Sequence, residues 1–294
     1  MCVQVTKIEG NLDQAVADIE EQYKIIWQVC ELDAKKPFNR FSDCTSTAVI
    51  RYNGCVRDNK AVYLFLEDVS NQLDYGTQSV LENYYLFPGK KKAEIMISVI
   101  LKFQQLHAKG IVHGNIRGSN IVMHTLDFLD ARIVGFGKSG PVGKQILKGD
   151  PYFFPSGEYG PQTLSFDKDV YALAHVFGKM ELSMRKHLRK NFDKKCFDKN
   201  IEVTAECLNS LRSAAIDAFN KKNQTDVLRK IMKTALSKKP EKRYQSMTDF
   251  AKAIEDVKNT FPTEAVKRNL KDELDDRNVF KKMIDYVNDI DFMF

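Results

Sequence analysis

Ile111-Val112-His113-Gly114-Asn115-Ile116-Arg117-Gly118-Ser119-Asn120-Ile121-Val122-Met123 runs, after a short insert, into Ala131-Arg132-Ile133-Val134-Gly135-Phe136-Gly137. Two apolar pieces, Ile121 to Met123 and Arg132 to Val134, are rich in branched residues and too short for helices, so they read as strands bracketing a turn. A polar loop precedes the first piece and a Gly-Phe-Gly turn follows the second.

The spacing of this stretch resembles the catalytic loop and magnesium loop of protein kinases. There, His-Arg-Asp-x-Lys-x-x-Asn is followed by two short strands and Asp-Phe-Gly. His113, Asn120, Phe136 and Gly137 match, whereas Asn115 stands at the position of the proton-accepting aspartate and Gly135 at that of the magnesium-binding aspartate. Arg117 keeps the charge of the family lysine with a different shape. Asparagine can orient a hydroxyl but cannot take its proton, and glycine offers a metal nothing. The resemblance therefore implies a kinase fold with degenerate catalytic positions at His113, Asn115, Arg117 and Asn120. Asn120 is the one residue left to touch a metal. His-Gly-Asn also resembles regulatory pseudokinase domains such as those of Janus kinases.

Cys2 to Ile8 alternates apolar and polar residues, as a half-buried strand does. Lys7 is either a solvent-facing strand lysine or, by the resemblance, the lysine that neutralises nucleotide phosphates. Leu12, Val16, Ile19, Tyr23, Ile26 and Cys30 form one helical stripe, with Asn11 able to cap its start. The resemblance makes this the regulatory helix, with Glu20 as the partner of Lys7 and Glu21 as second choice. The two earlier strands and the glycine-rich loop of a kinase small lobe are not found before Lys7, so that lobe is expected to be truncated. Thr47 to Tyr52 and Ala61 to Leu66 read as paired strands around Asn53-Gly54 and the Arg57-Asp58-Asn59-Lys60 turn. Leu66, Glu67 and Val69 then correspond to the hinge. A vestigial nucleotide pocket would use Lys7, Glu20, Glu67, Val69 and Val122. As an ordinary buried strand leaving into a loop, the same segment needs no ligand.

Ala93 to Ala108 has the period of a strong helix closed by Lys109-Gly110. Residues 137 to 160 correspond to the activation segment. Its ending, Gly149 to Glu158, resembles a kinase pattern whose glutamate meets a buried arginine, which gives Glu158 and Arg243 structural roles. Phe166 to Leu182 contains Asp169-Val170-Tyr171-Ala172-Leu173-Ala174, similar to the central large-lobe helix. Asp169 would accept bonds from catalytic-loop amides, as a buried carboxylate requires. Val203 to Asn220, Thr225 to Ser237 and Met247 to Asn259 show helical periodicity, the last capped by Ser246. Met232, Leu236, Phe250 and Ile254 read as packing residues. Phe280, Met283, Ile284, Tyr286, Val287 and Ile290 suggest a further helix in the tail.

These elements together imply an α+β, two-lobed protein kinase-like fold. A truncated β-rich N-lobe (1–69) lacks the first two kinase strands and the glycine-rich loop, a mainly helical C-lobe follows (70–260), and a helical extension ends the chain (261–294). The implied function is that of a pseudokinase, a regulatory module that binds another protein, either an active kinase or its substrate. It would have no working cofactor. The alternative is an ATP- and magnesium-dependent phosphotransferase with rearranged residues.

The 294 residues are 43% hydrophobic and 29% charged, ordinary for a globular protein. No apolar run approaches the ~20 residues of a membrane helix. The N-terminus has no basic segment followed by an apolar one, and the six cysteines form no close pairs. An intracellular, reducing location is the expectation. A net charge of +6 gives no strong nucleic-acid signal. Arg185, Lys186, Arg189, Lys190, Lys194 and Lys195 cluster between Lys179 and Lys199. They form either a solvated face or a patch for an acidic protein or membrane surface.

Overall fold

Alternating residues near the N-terminus and two apolar segments before residue 70 build a small antiparallel sheet in the computed structural model. Its strands are β1 (Cys2–Lys7), β2 (Tyr52–Arg57) and β3 (Ala61–Leu66), in the order β1-β3-β2. The structure describes residues 2–7, 52–57, 61–66, 89–123, 129, 131–146, 162–182 and 226–261, with single residues between 17 and 29 and between 209 and 216. The strand expected at Thr47 to Tyr52 instead starts at Tyr52. It runs through Asn53-Gly54, which forms a register shift and not a turn. The Asn-Gly pair is thus absorbed as a bulge inside the strand, whose pairing with β3 resumes from Gly54 opposite Phe65 to Arg57 opposite Val62.

The large helical part is organised by α1 (Gly89–Ala108) and α2 (Phe166–Leu182). Ile95, Met96, Val99, Ile100, Phe103 and Leu106 make the stripe that α1 buries. Such a side chain stabilises the fold by about 1.5–3 kcal/mol when taken from water. The helix begins one turn before the expected Ala93. The reason is Lys92, drawn into the interior by a 3.2 Å bond to Glu181 of α2. The helix ends where expected: Lys109 and Gly110 donate their amides to the carbonyls of Leu106 and His107, with Gly110 at φ 73°.

From Val170 to Phe177 every residue of α2 is buried. That makes it the central element, packed on α1, α3 (Asp226–Ala235) and α4 (Met247–Glu255). Met232, Leu236, Phe250 and Ile254 are all fully buried in this core. Ser246 caps α4, its hydroxyl accepting the Asp249 amide at 3.0 Å. The described residues between 17 and 29 are helical, and Ile25, Ile26 and Val29 join the same core cluster. Among the described residues no helix is long and apolar enough to cross a membrane. The basic residues Arg185 to Lys195 and the tail lie outside the described residues.

Candidate functional site

Two small pairings bring the loop 113–120 against the turn 134–139. Strand β4 (Ile111–Val112) pairs with β7 (Gly140–Pro141), and β5 (Ile121–Met123) pairs with β6 (Ala131–Ile133). The second strand piece is thus shifted by one residue from Arg132–Val134, because Ile121 pairs with Ile133 and Val134 is needed in the turn, its amide bonded to the Asn120 carbonyl. Val122 is half-buried opposite Arg132.

His113 is the buried pivot. Its ring lies edge-on to Phe103 at 5.7 Å and tilted to Phe136 at 5.3 Å. Nε2 bonds the Val134 carbonyl at 3.0 Å and Nδ1 accepts the Asn115 amide at 3.2 Å. A carbonyl can only accept and an amide can only donate, so the hydrogen sits on Nε2 and the imidazole is neutral. Burial holds its pKa below the ordinary 6.5, partly opposed by the charge of Asp169 and the bond to Val134. A depressed folded-state pKa means that this contribution to stability is complete above the unfolded value. It is lost as pH falls through about 6.5 and below. Acid titration of folding stability is expected to weaken His113 packing in that window. His113→Gln is expected to flatten the curve there, measured as denaturation midpoints across pH.

Asp169 fixes the same loop from below. Its carboxylate accepts the amides of His113 at 2.7 Å and Gly114 at 3.0 Å, and Nε2 of His107 at 2.9 Å. His107 stacks on Phe166 at 4.3 Å. Ser139 adds a hydroxyl bond to the His113 carbonyl at 2.8 Å. Gly114 has φ +71°, and a Cβ there would meet Leu164 at 2.7 Å and the Lys138 carbonyl at 2.8 Å. The position takes only glycine without rearrangement.

Asn115 faces its own loop. Its Oδ1 accepts Nε of Arg117 at 3.1 Å, and its carbonyl accepts the Asn120 side-chain amide at 2.8 Å. Gly135 is left-handed, with φ +79°, and a Cβ on it would lie 2.7 Å from the amide atoms of Asn120. Asn120 has moved its side chain against the backbone where a family carboxylate would project. Magnesium wants several hard oxygen ligands in near-octahedral array. Gly135 supplies none, and Asn120, its NH2 bonded to the Asn115 carbonyl, could offer only one neutral amide oxygen. Among the described residues no group of three His, Cys, Asp or Glu side chains converges as a metal site. This donor set does not fit a divalent cation.

Of the remaining candidates, Lys7 lies on β1 opposite Ala61. Its side chain, Glu20, Glu67, Val69 and Glu158 lie outside the described residues. Glu21 reaches Lys144 at 2.5 Å, and that lysine also donates to the Ser139 carbonyl at 3.2 Å. With Glu21 half-exposed this is a surface pair of small energy. Its meaning is positional, because it ties the N-terminal helical segment to the segment after Gly-Phe-Gly. Arg243 is buried and donates to Asp167 at 2.6 Å and to the carbonyls of Ser237 and Lys238. Asp167, two residues before Asp169 on α2, was the acid that the sequence reading passed over. Its position in the first turn of that helix was the available signal. His107, in the last turn of α1, and Ser139 were missed as well.

The protein kinase domain model matches residues 34–255. The chain is 26% identical over 132 residues to mitogen-activated protein kinase kinase kinase 3 of Arabidopsis thaliana, covering 42% of this chain and 20% of that protein. It is similarly related to mitogen-activated protein kinase kinase kinase ANP1 of Arabidopsis thaliana, 26% identical with 42% and 19% covered. A probable serine/threonine-protein kinase of Dictyostelium discoideum is 26% identical over 110 residues, with 36% and 16% covered. The chain spans about a fifth of the length of these curated relatives.

Proposed function

Because the chain belongs to the protein kinase family, we propose that it is a pseudokinase: a kinase-shaped module that regulates by binding another protein, an active kinase or its substrate. The observation that carries this reading is Gly135 with the Asn120 amide packed where a metal-binding side chain would begin. Phosphoryl transfer needs positioning and metal neutralisation of the transferring group. Here the metal ligand is absent and its space is filled. General-base assistance, normally worth about 10²–10⁴ in rate, has no acceptor in Asn115. What remains is the loop's architecture, held by Asp169 and His113, which presents a surface without driving chemistry. The vestigial pocket of Lys7, Glu20, Glu67, Val69 and Val122 belongs to the same reading.

The test is direct. Magnesium-ATP at saturating concentration is expected to leave the melting temperature unchanged within error, and labelled ATP to transfer no phosphate to the chain or to a generic substrate. Ligand at a hundred times its dissociation constant would stabilise by about 2.7 kcal/mol, so binding would be visible. A metal-dependent shift together with label transfer would overturn the reading in favour of a phosphotransferase using other residues. Asn115→Asp combined with Gly135→Asp is expected to restore no transfer. The aspartate Cβ at 135 must first displace Asn120 from its 2.8 Å bond to the Asn115 carbonyl.

A further inference from the structure

Several lysines on the described surface stand beside acids. Lys91 pairs with Glu94, Lys252 with Asp256, Lys258 with Glu255 and Lys144 with Glu21. The end of α3 and the turn after it, by contrast, gather five that do not. Lys230, Lys233, Lys238, Lys239 and Lys242 are all exposed. Among the described residues none of the five lies within ion-pairing distance of a carboxylate. Glu241 is the one acid exposed between residues 230 and 242.

The turn that carries three of these lysines is rigid. Arg243 anchors it through Asp167 and the carbonyls of Ser237 and Lys238. The amides of Lys242 and Arg243 close back on the carbonyls of Lys239 and Pro240. Lys238, Lys239 and Lys242 are thus kept within five residues of one another on a turn tied down by the fold, and their like charges repel, which an acidic ligand would relieve.

We propose that this face is a docking surface for an acidic polypeptide segment, rich in Asp and Glu, on the protein that the pseudokinase regulates. The proposal deepens the reading above by giving the partner's chemistry. Three observations favour polypeptide over phosphate-bearing surfaces. First, the exposed cations are lysines, compact point charges suited to flexible carboxylates. The arginines that would fork onto phosphates are withdrawn, Arg243 into the interior and Arg229 half-buried. Second, among the described residues near this turn no aromatic side chain is free to stack a base, because Tyr244 is half-buried against Phe250 at 5.4 Å. Third, Val227 is the only large apolar residue exposed on α3, too little to anchor in a bilayer.

The test uses the full chain and a fluorescent peptide of about twelve alternating Glu and Asp residues. Binding is expected, and to weaken steeply as salt rises from about 50 to 200 mM. Replacing Lys230, Lys233, Lys238, Lys239 and Lys242 together with glutamine should weaken it about tenfold or more, with melting temperature retained. Replacing Lys91, Lys252 and Lys258 with glutamine should change it about twofold or less. Equal binding by the five-lysine variant and the wild type overturns the proposal. So does absence of peptide binding at low salt, or tighter binding of an oligothymidylate or of phosphatidylserine vesicles at the same five residues. Label transfer from magnesium-ATP would remove the pseudokinase reading and leave the patch standing. An unaffected five-lysine variant would do the reverse.

Discussion

Asp169→Ala is expected to destabilise the fold by about 2–6 kcal/mol, because two buried backbone amides lose their acceptor at once and each orphaned group costs about 1–3 kcal/mol. The amides are those of His113 and Gly114, and His107 Nε2 loses its partner with them. Asp169→Asn keeps the shape and one acceptor oxygen, but turns an NH2 toward donors. It should fall between wild type and alanine. Denaturant titration checks both, with the midpoint falling at unchanged slope. Against a usual total of about 5–15 kcal/mol, the alanine variant would stand near the edge of folding. Wild-type stability in Asp169→Ala would mean that the loop is held by something other than this carboxylate.

A comparable loss is expected at the other end of α2. Lys92 and Glu181 form a pair with side chains 5% and 0% exposed. Lys92→Met leaves a carboxylate in the interior without its cation, a change that typically costs about 3–5 kcal/mol. The double variant Lys92→Met with Glu181→Leu removes both desolvation penalties and should recover most of that stability. A double-mutant cycle measured by chemical denaturation gives the coupling. If the double variant is no better than the single, the contribution of Lys92 is packing of its stem and not the ion pair. No local pattern marks this pair. Lys90, Lys91 and Lys92 are consecutive and alike in type, and only the turn of helix before Ala93 carries the third of them inward.

What was legible depended on how local the cause was. The bounds of α2 and the cap of α4 are set by residues within a few positions, and both lie where the pattern put them. The order of loop, hairpin and Gly-Phe-Gly turn was legible through its resemblance to the kinase pattern, and so was Asp169, whose helix resembles the central kinase helix. Strand ends were less so. Asn53-Gly54 looks like a turn until the partner strand absorbs it, and a one-residue slip at β6 is decided by Val134 bonding across the loop. Partners far apart in sequence were the least visible. Arg243 lies 76 positions from Asp167 and Lys144 lies 123 from Glu21. No local period marks either contact. The inward turn of Asn120 against Gly135 was equally hidden, since it depends on side-chain placement and not on residue type.

That last contact couples two positions. A carboxylate introduced at 135 would arrive in space that the Asn120 amide fills, and moving Asn120 away breaks its 2.8 Å bond to the Asn115 carbonyl. Residues 120 and 135 therefore vary freely only as a pair, and a change at one alone is felt as strain in the loop that both hold.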